Sequence, residues 1–293
     1  MGKNYLNQYV VHILFITASA ASIFPFFLLL AASFTDEDAI VLHGYSLFPE
    51  KLSLEAYAYL FQKSAMIVTA YGVTVFITIF GMTAGLLITS LLAYPLSRSI
   101  MPFRSFLSFL VFFTLLFNGG LVPFYLVYTE IFAIKNTIWA LIVPNLLTNG
   151  FFVLLMRSFF SISIPNEVIE SAYMDGANEL KIYSRIVLPL ALPSLAAIGL
   201  MQTILYWNDW FNGLLYVTDA RLFSIQNLLY RILTDVQYVQ QNNMAGQTTS
   251  ASSAPLITVR MAIAVIGVLP LICAYPFFQR YFVKGLTVGA VKG

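Results

Sequence analysis

Apolar positions along this chain gather into six long runs, at roughly 10–33, 66–96, 105–128, 137–156, 187–207 and 259–279. A helix rises about 1.5 Å per residue, so about 20 apolar residues cross the hydrocarbon of a bilayer, and the pattern predicts six spanning helices. The first run is longer than the core of about 7–15 residues usual in a signal peptide, which favours a retained helix. Residues 236–259 also carry little charge, but "QYVQQNNMAGQTTSASSAP" is crowded with amides and hydroxyls that need water. That stretch reads as an exposed loop.

Composition fits the same picture. Of 293 residues, 59% are hydrophobic and 10% charged, with a mean hydropathy of +0.83. A soluble domain carries about 25% charged residues, so much of this surface meets lipid. The net charge of +2 makes no case for nucleic-acid binding. Cys273 is the single cysteine, which rules out an internal disulfide and fits a packing role. The start "MGKNYL" lacks the Ser or Thr of a myristoylation signal.

Lys and Arg set the direction. With the N-terminus in the cytoplasm, Lys3, Arg98, Arg104, Arg157, Lys181, Arg185, Arg280, Lys284 and Lys292 fall inside, and Lys51, Lys63, Lys135, Arg221, Arg231 and Arg260 outside. The short connection 97–104 holds two Arg and no acid, while the first connection holds the acidic "TDEDAI". Both point the same way. The expectation is an all-α polytopic membrane protein, one domain over 1–293, with both termini cytoplasmic and a long extracytoplasmic connection at 208–258.

Several chemistries have no residues to carry them. No phosphate-cradling G-x-x-x-x-G-K-[ST] and no G-x-S-x-G elbow occurs. His12, His43 and Cys273 cannot assemble a zinc spacing. The runs lack the ladder of acids and bases expected of a proton relay, so energy for uphill work has to enter from elsewhere. Gly81 and Gly85 in "GMTAG" stand at the spacing that lets helices approach closely, and read as packing.

The connection between the fourth and fifth runs breaks the apolar pattern. Within residues 167–185 it holds Glu167, Glu170, Asp175, Glu179, Lys181 and Arg185. Pro165 suits a helix start, and Val168, Ile169, Ala172 and Tyr173 recur as one apolar stripe. Asp175-Gly176 reads as a break, with Asp175 able to cap a second helix. There Asn178, Lys181 and Arg185 line one face, and Leu180, Tyr183 and Val187 another. Pro189 bends or ends that helix on entry to the fifth run. Periodicity alone fits both an amphipathic element lying on the membrane and a plug held by another protein.

The spacing Glu170-Ser171-Ala172, three residues, Gly176, nine residues, Ile186-Val187-Leu188-Pro189 resembles the EAA loop of ABC importer permeases. Ser171 stands where Ala is usual and Tyr183 where Phe is common, its extra hydroxyl expected toward water. The resemblance implies that residues 158–187 form a cytoplasmic coupling loop between helices four and five, docking into a separate ATPase subunit. It implies ATPase coupling through Glu170, Ser171, Ala172, Met174, Asp175, Gly176, Tyr183, Ile186, Leu188 and Pro189, with Met174 and Tyr183 as the buried knob. No cofactor is implied on this chain; ATP and Mg belong to the partner ATPase dimer.

"YWNDWFNGLL" and the tail "FFQRYFVKGLTVGAVKG" look like the carbohydrate-uptake branch, the second permease of the maltose type. "NGGLVPFYLVYTEIFAIKNTIWALIVP" and "MRSFFSISIPNEVIESA" are similar to a sub-branch serving oligosaccharides and uronates. The implied partners are a second permease, a soluble solute-binding protein, a carbohydrate and the lipid bilayer, with no nucleic acid. The implied location is the cytoplasmic (inner) membrane. By the same likeness the small, flexible tail, through Gly285, Gly289 and Lys292, reaches the ATPases. Sugars need hydroxyl-pairing groups and flat apolar faces, so the substrate-path candidates are Asn118, Asn145, Asn149, Gln202, Tyr206, Trp207, Asn208 and Asp209. Each also suits a structural role, because buried amides bond across helices and Trp and Tyr anchor span ends.

Other readings stay open at this point: import of a peptide, amine or anion, or a membrane scaffold without transport. The nine acids against six bases in the outer connections do not choose between neutral and acidic sugars.

Overall fold

The structure is a computed structural model describing residues 2–144, 146–244 and 256–290; Asn145 and Lys292 lie outside the described residues. The helices in chain order begin with α1 (Gly2–Ser33), α2 (Glu37–His43), α3 (Glu55–Gln62), α4 (Ser64–Ser97) and α5 (Arg104–Leu116). Then come α6 (Leu121–Leu126, running into a π turn at Val127–Ile131), α7 (Trp139–Ile142), α8 (Gly150–Ser163) and α9 (Asn166–Met174). The chain continues through α10 (Glu179–Ile182, followed by a π turn at Tyr183–Val187), α11 (Leu188–Leu190), α12 (Leu192–Trp207) and α13 (Phe211–Tyr216). It ends with α14 (Ile225–Met244) and α15 (Leu256–Ala290). No named strand occurs among the described residues; Thr35 and Leu52 form an isolated bridge.

Among the described residues two helices, within 8–33 and 64–97, are long and apolar enough to cross a membrane. Three bent pairs qualify as well if each pair counts as one span.

The chain divides into two compact units. One joins residues 1–65 to 229–270. In it, the end of α1 is fixed by Ser33, whose Oγ lies 2.8 Å from the Tyr57 hydroxyl, and by Phe34 stacked on the Tyr57 ring at 4.8 Å. Lys51 pairs with Asp36 at 2.8 Å. The Glu37 carboxylate reaches α15, accepting from the backbone N–H of Ile257 (2.7 Å) and Thr258 (2.9 Å) and from the Thr258 hydroxyl (2.9 Å). These N–H groups have no partner inside the helix, and the positive end of the helix dipole favours an acid there.

The second unit joins residues 66–228 to 271–293 and holds the coupling segment. Helix α4 runs 34 residues without a charged side chain, as the apolar pattern predicts. Its Gly81 and Gly85 face α12: a Cβ at Gly81 would stand 2.3 Å from Cζ of Tyr206, and one at Gly85 3.0 Å from Nε2 of Gln202. The glycine pair is therefore an intramolecular contact. Gly150 similarly lets α8 meet α5, where a Cβ would stand 2.8 Å from Thr114 Oγ1.

Four expectations are corrected. The run 105–128 is not one helix, because the chain extends at Phe117 (φ −100, ψ 121), takes a positive φ of 89 at Gly120 and bends by 112°. The run 137–156 is not one helix either: it holds the single turn α7 and the first half of α8. Pro144 disfavours helix in the residue before it and offers no N–H, and α8 restarts at Gly150 under an Asn149 cap. At about 1.5 Å per residue the 14 residues of α8 reach about 21 Å. The run 187–207 is not one helix but two segments, α11 and α12, meeting in a 79° bend at Ala191 between Pro189 and Pro193. Residues 236–244, expected in a loop, continue α14, where the backbone groups bond along the helix and glutamines are good helix formers.

Candidate functional site

Helix α9 is built on Pro165, which sits at its N-cap and whose extended backbone (φ −62, ψ 139) turns the chain out of α8. Of the four-residue apolar stripe, Ile169 and Ala172 are buried, while Val168 and Tyr173 stay about two-fifths exposed. The helix ends at Asp175 with Gly176 at φ 75; the Ala177 N–H donates to Ala172 O (3.0 Å) and the Gly176 N–H to Tyr173 O (2.9 Å). This is the paired hydrogen-bond ending that a left-handed glycine permits. Asn178, rather than Asp175, caps the next helix, accepting from the Lys181 N–H at 2.9 Å. Asp175 is spent closing α9 and lies too early in the chain.

The buried face of the second helix is Ile182, Tyr183 and Val187; Leu180 is 69% exposed. Tyr183 and Val187 share the buried face as expected, and Ile182 rather than Leu180 completes it. Tyr183 is a correction to the expected knob. Its ring is 5% exposed and packs 5.3 Å from Tyr94, and its hydroxyl pairs with Ser90 Oγ at 2.7 Å instead of facing water. Met174 is 89% exposed, and Glu170, Ser171, Asp175, Gly176 and Pro189 lie at the surface. Ala172 is buried, and Ile186 and Leu188 are half-buried.

A polar lock fastens this segment to α4. Glu179 accepts from the Tyr94 hydroxyl at 2.6 Å and from the Tyr173 hydroxyl, and Arg98 donates to Asn166 Oδ1 at 3.4 Å. Burial pushes the Glu179 carboxyl up, but the hydroxyls of Tyr173 and Tyr94 and the Arg98 charge hold it below its ordinary value. Sequence reasoning missed these residues. Their signal is a stripe at the end of α4, Ser90, Tyr94, Ser97 and Arg98, at i, i+4, i+7 and i+8 in otherwise apolar sequence.

The substrate-path candidates divide. Gln202 is fully buried against α4, its amide without a hydrogen-bond partner among the described residues. Tyr206 is buried and donates to Ile142 O at 2.9 Å, and Trp207 packs against Tyr71 at 6.3 Å. Asn208 is exposed after α12. Burial pushes the Asp209 carboxyl up, opposed by hydrogen bonds from Asn212 and Phe211. Around it Asn212 Nδ2 donates to Pro144 O (3.0 Å) and Ser224 Oγ to the Asp209 carbonyl (3.0 Å). Asn118 and Asn149 serve the backbone, accepting from the N–H groups of Gly120 and Phe151. Gly285 and Gly289, expected in a flexible tail, lie in the helical backbone of α15, which has no proline after Pro276.

Comparison with known proteins gives the arrangement its context. A family described as the binding-protein-dependent transport system inner membrane component matches residues 1–288. The polygalacturonan/rhamnogalacturonan transport system permease protein YtcP of Bacillus subtilis is 37% identical, over 99% of this chain and 100% of its own. The arabinooligosaccharides transport system permease protein AraQ of Halalkalibacterium halodurans is 29% identical, over 93% of this chain and 92% of its own. Among solved structures, a chain of a bacterial ABC transporter involved in import of the acidic polysaccharide alginate superposes with a TM-score of 0.79. It is 26% identical and covers 96% of this chain and 98% of its own. Chemistry-poor spans, an exposed charged helix on a buried base and a match along almost the whole length agree: the chain belongs to the family of inner membrane components of binding-protein-dependent transport systems.

Proposed function

We propose that this chain is a permease subunit of an ATP-driven carbohydrate importer, forming half of the pore and transmitting the motion of a separate ATPase through α9. The observation that carries the reading is the asymmetry of α9. Ile169 and Ala172 bind it to its own chain, while Glu170 and Met174 stand free on the other side. A helix held on one face and bare on the other suits a partner that moves it as a rigid body. In this reading α1, α4, α5 with α6, α7 with α8, α12 and α15 make six crossings, with both ends in the cytoplasm and residues 208–258 largely outside. A second permease completes the pore, a soluble binding protein delivers the sugar, and ATP and Mg act on the ATPase. The C-terminal end of α15, with Gly285 and Gly289, is proposed to approach that ATPase.

The names of YtcP, AraQ and the alginate importer support a carbohydrate cargo, and that of the alginate importer names an acidic polysaccharide. Asn208, exposed at the end of α12, is the proposed lining group best suited to a sugar hydroxyl, since its amide offers both a donor and an acceptor.

The test is ATPase stimulation by sugar-loaded binding protein in the assembled importer. Glu170→Ala and Met174→Ala are expected to lower stimulation several-fold. Full stimulation with normal assembly overturns the reading.

A further inference from the structure

Beside the turn from α4 into α5 lies a cavity of about 180 Å³. Its polar lining comes from Ser97, Arg98, Ser99, Arg104, Ser161 and Asn166. A pocket for a drug-sized ligand spans about 300–1,000 Å³, so this space is too small for a sugar oligomer. At about 30 Å³ per water it suits a small anion with part of its hydration.

Its charge is concentrated and only partly balanced. Arg104 is fixed by its Nε, which donates to Leu96 O at 2.9 Å, and its two terminal nitrogens have no protein partner among the described residues. Arg98 is steered by Asn166 and by the Tyr173 hydroxyl. No carboxylate comes within ion-pair distance of either arginine among the described residues. The acid that acts on Arg98 is Glu179, already engaged by two tyrosine hydroxyls. Two guanidinium forks therefore line one cavity with serine hydroxyls and an asparagine amide, and a carboxylate acts on Arg98 alone. Forked donors of this kind match the oxygens of a phosphate, which they bind in pairs.

We propose that this cavity binds a phosphate group, carried by an anionic phospholipid headgroup or free in solution. The group would tie the α4–α5 turn, through Arg98 and Arg104, to Asn166 at the start of α9, and so set how firmly that helix is held. The inference shares with the proposed function the placing of this end of α4 at the inner membrane face, where anionic headgroups lie. It needs neither motor nor cargo. Binding is therefore measured without nucleotide, so that its failure and the failure of the transport reading are separate results.

The experiment uses the assembled importer, stripped of lipid in neutral detergent. Phosphatidylglycerol, phosphatidylcholine and inorganic phosphate are the probes, with retained lipid read by native mass spectrometry and stabilisation by the shift in Tm. The wild type is expected to retain phosphatidylglycerol over phosphatidylcholine, and the R98Q/R104Q variant to retain about tenfold less, the cost of about one charge-assisted contact. If inorganic phosphate raises the Tm of the wild type and not of the variant, the ligand includes the free anion; if phosphatidylglycerol alone does so, it is the lipid. Should R98Q/R104Q fail to assemble, R98K/R104K keeps the charge and removes the fork, and is expected to bind with intermediate strength. Equal retention by wild type and variant, no preference over phosphatidylcholine, or no effect of any probe overturns the proposal. So does a variant that sheds the ATPase while its lipid binding is unchanged, which would assign the arginines to a protein partner.

Discussion

Tyr206 lies flat against Gly81, so close that a single methyl group at Gly81 would stand 2.3 Å from Cζ of the ring. Such a contact cannot be accommodated unless the ring or a helix moves. Overpacking of this kind costs about 1–3 kcal/mol. Gly81→Ala is expected to lower the Tm of the assembled importer, and Gly81→Ala with Tyr206→Ala to lose less than the sum of the two changes. Gly72, on the same helix with nothing within 4 Å of its would-be Cβ, supplies the control. Gly72→Ala should be neutral or stabilising by up to about 1 kcal/mol.

Met174 and Tyr183 were alike in the sequence and are opposite in the fold. Met174→Ala should leave stability within about 0.5 kcal/mol of wild type, as exposed changes do, while weakening stimulation of the ATPase. Tyr183→Ala opens a core site, and losing a buried ring costs about 3–5 kcal/mol. Tyr183→Phe removes one hydrogen bond, about 0.5–1.5 kcal/mol, while Ser90 keeps its bond to Leu87 O at 3.0 Å. Paired thermal unfolding and ATPase assays separate the two residues; equal effects in both assays would contradict the assignment.

Glu179 predicts a pH dependence. Its carboxyl is held below the ordinary value in the folded chain, so the folded state favours the charged form. The stability it contributes is present above the usual carboxylate range, about pH 4.3, and is lost as pH falls through the lower folded value. Near neutrality the contribution is flat. Tm measured from neutral to acidic pH should fall more steeply for wild type than for Glu179→Gln, and equal slopes would remove Glu179 from the lock.

Glu37 caps a helix 220 residues away in sequence. Glu37→Ala strands two N–H groups at the start of α15, and loss of a cap costs about 0.5–2 kcal/mol. Hydrogen exchange at Ile257 and Thr258 should accelerate accordingly. Unchanged exchange would mean that the cap is not formed in the membrane.

Much of this organisation is legible in the residues, and the exceptions have physical causes. Helix α4 was readable because 34 uncharged residues allow nothing else, and Gly176 because a left-handed helix ending needs it. The run 137–156 misled because a hydropathy average does not register that Pro144 breaks the backbone. The partners of Glu179, Tyr183 and Glu37 lie 85, 93 and 220 positions away, beyond any local pattern.

Gly176 carries a consequence for how its substitution is interpreted. Nothing lies within 4 Å of the place a side chain would occupy, yet φ is +75. An L-alanine there meets no neighbour, only its own chirality, at about 1–2 kcal/mol. A D-alanine installed by chemical ligation would sit there without strain, so mirror-image substitution separates the shape of the bend from any contact made across it.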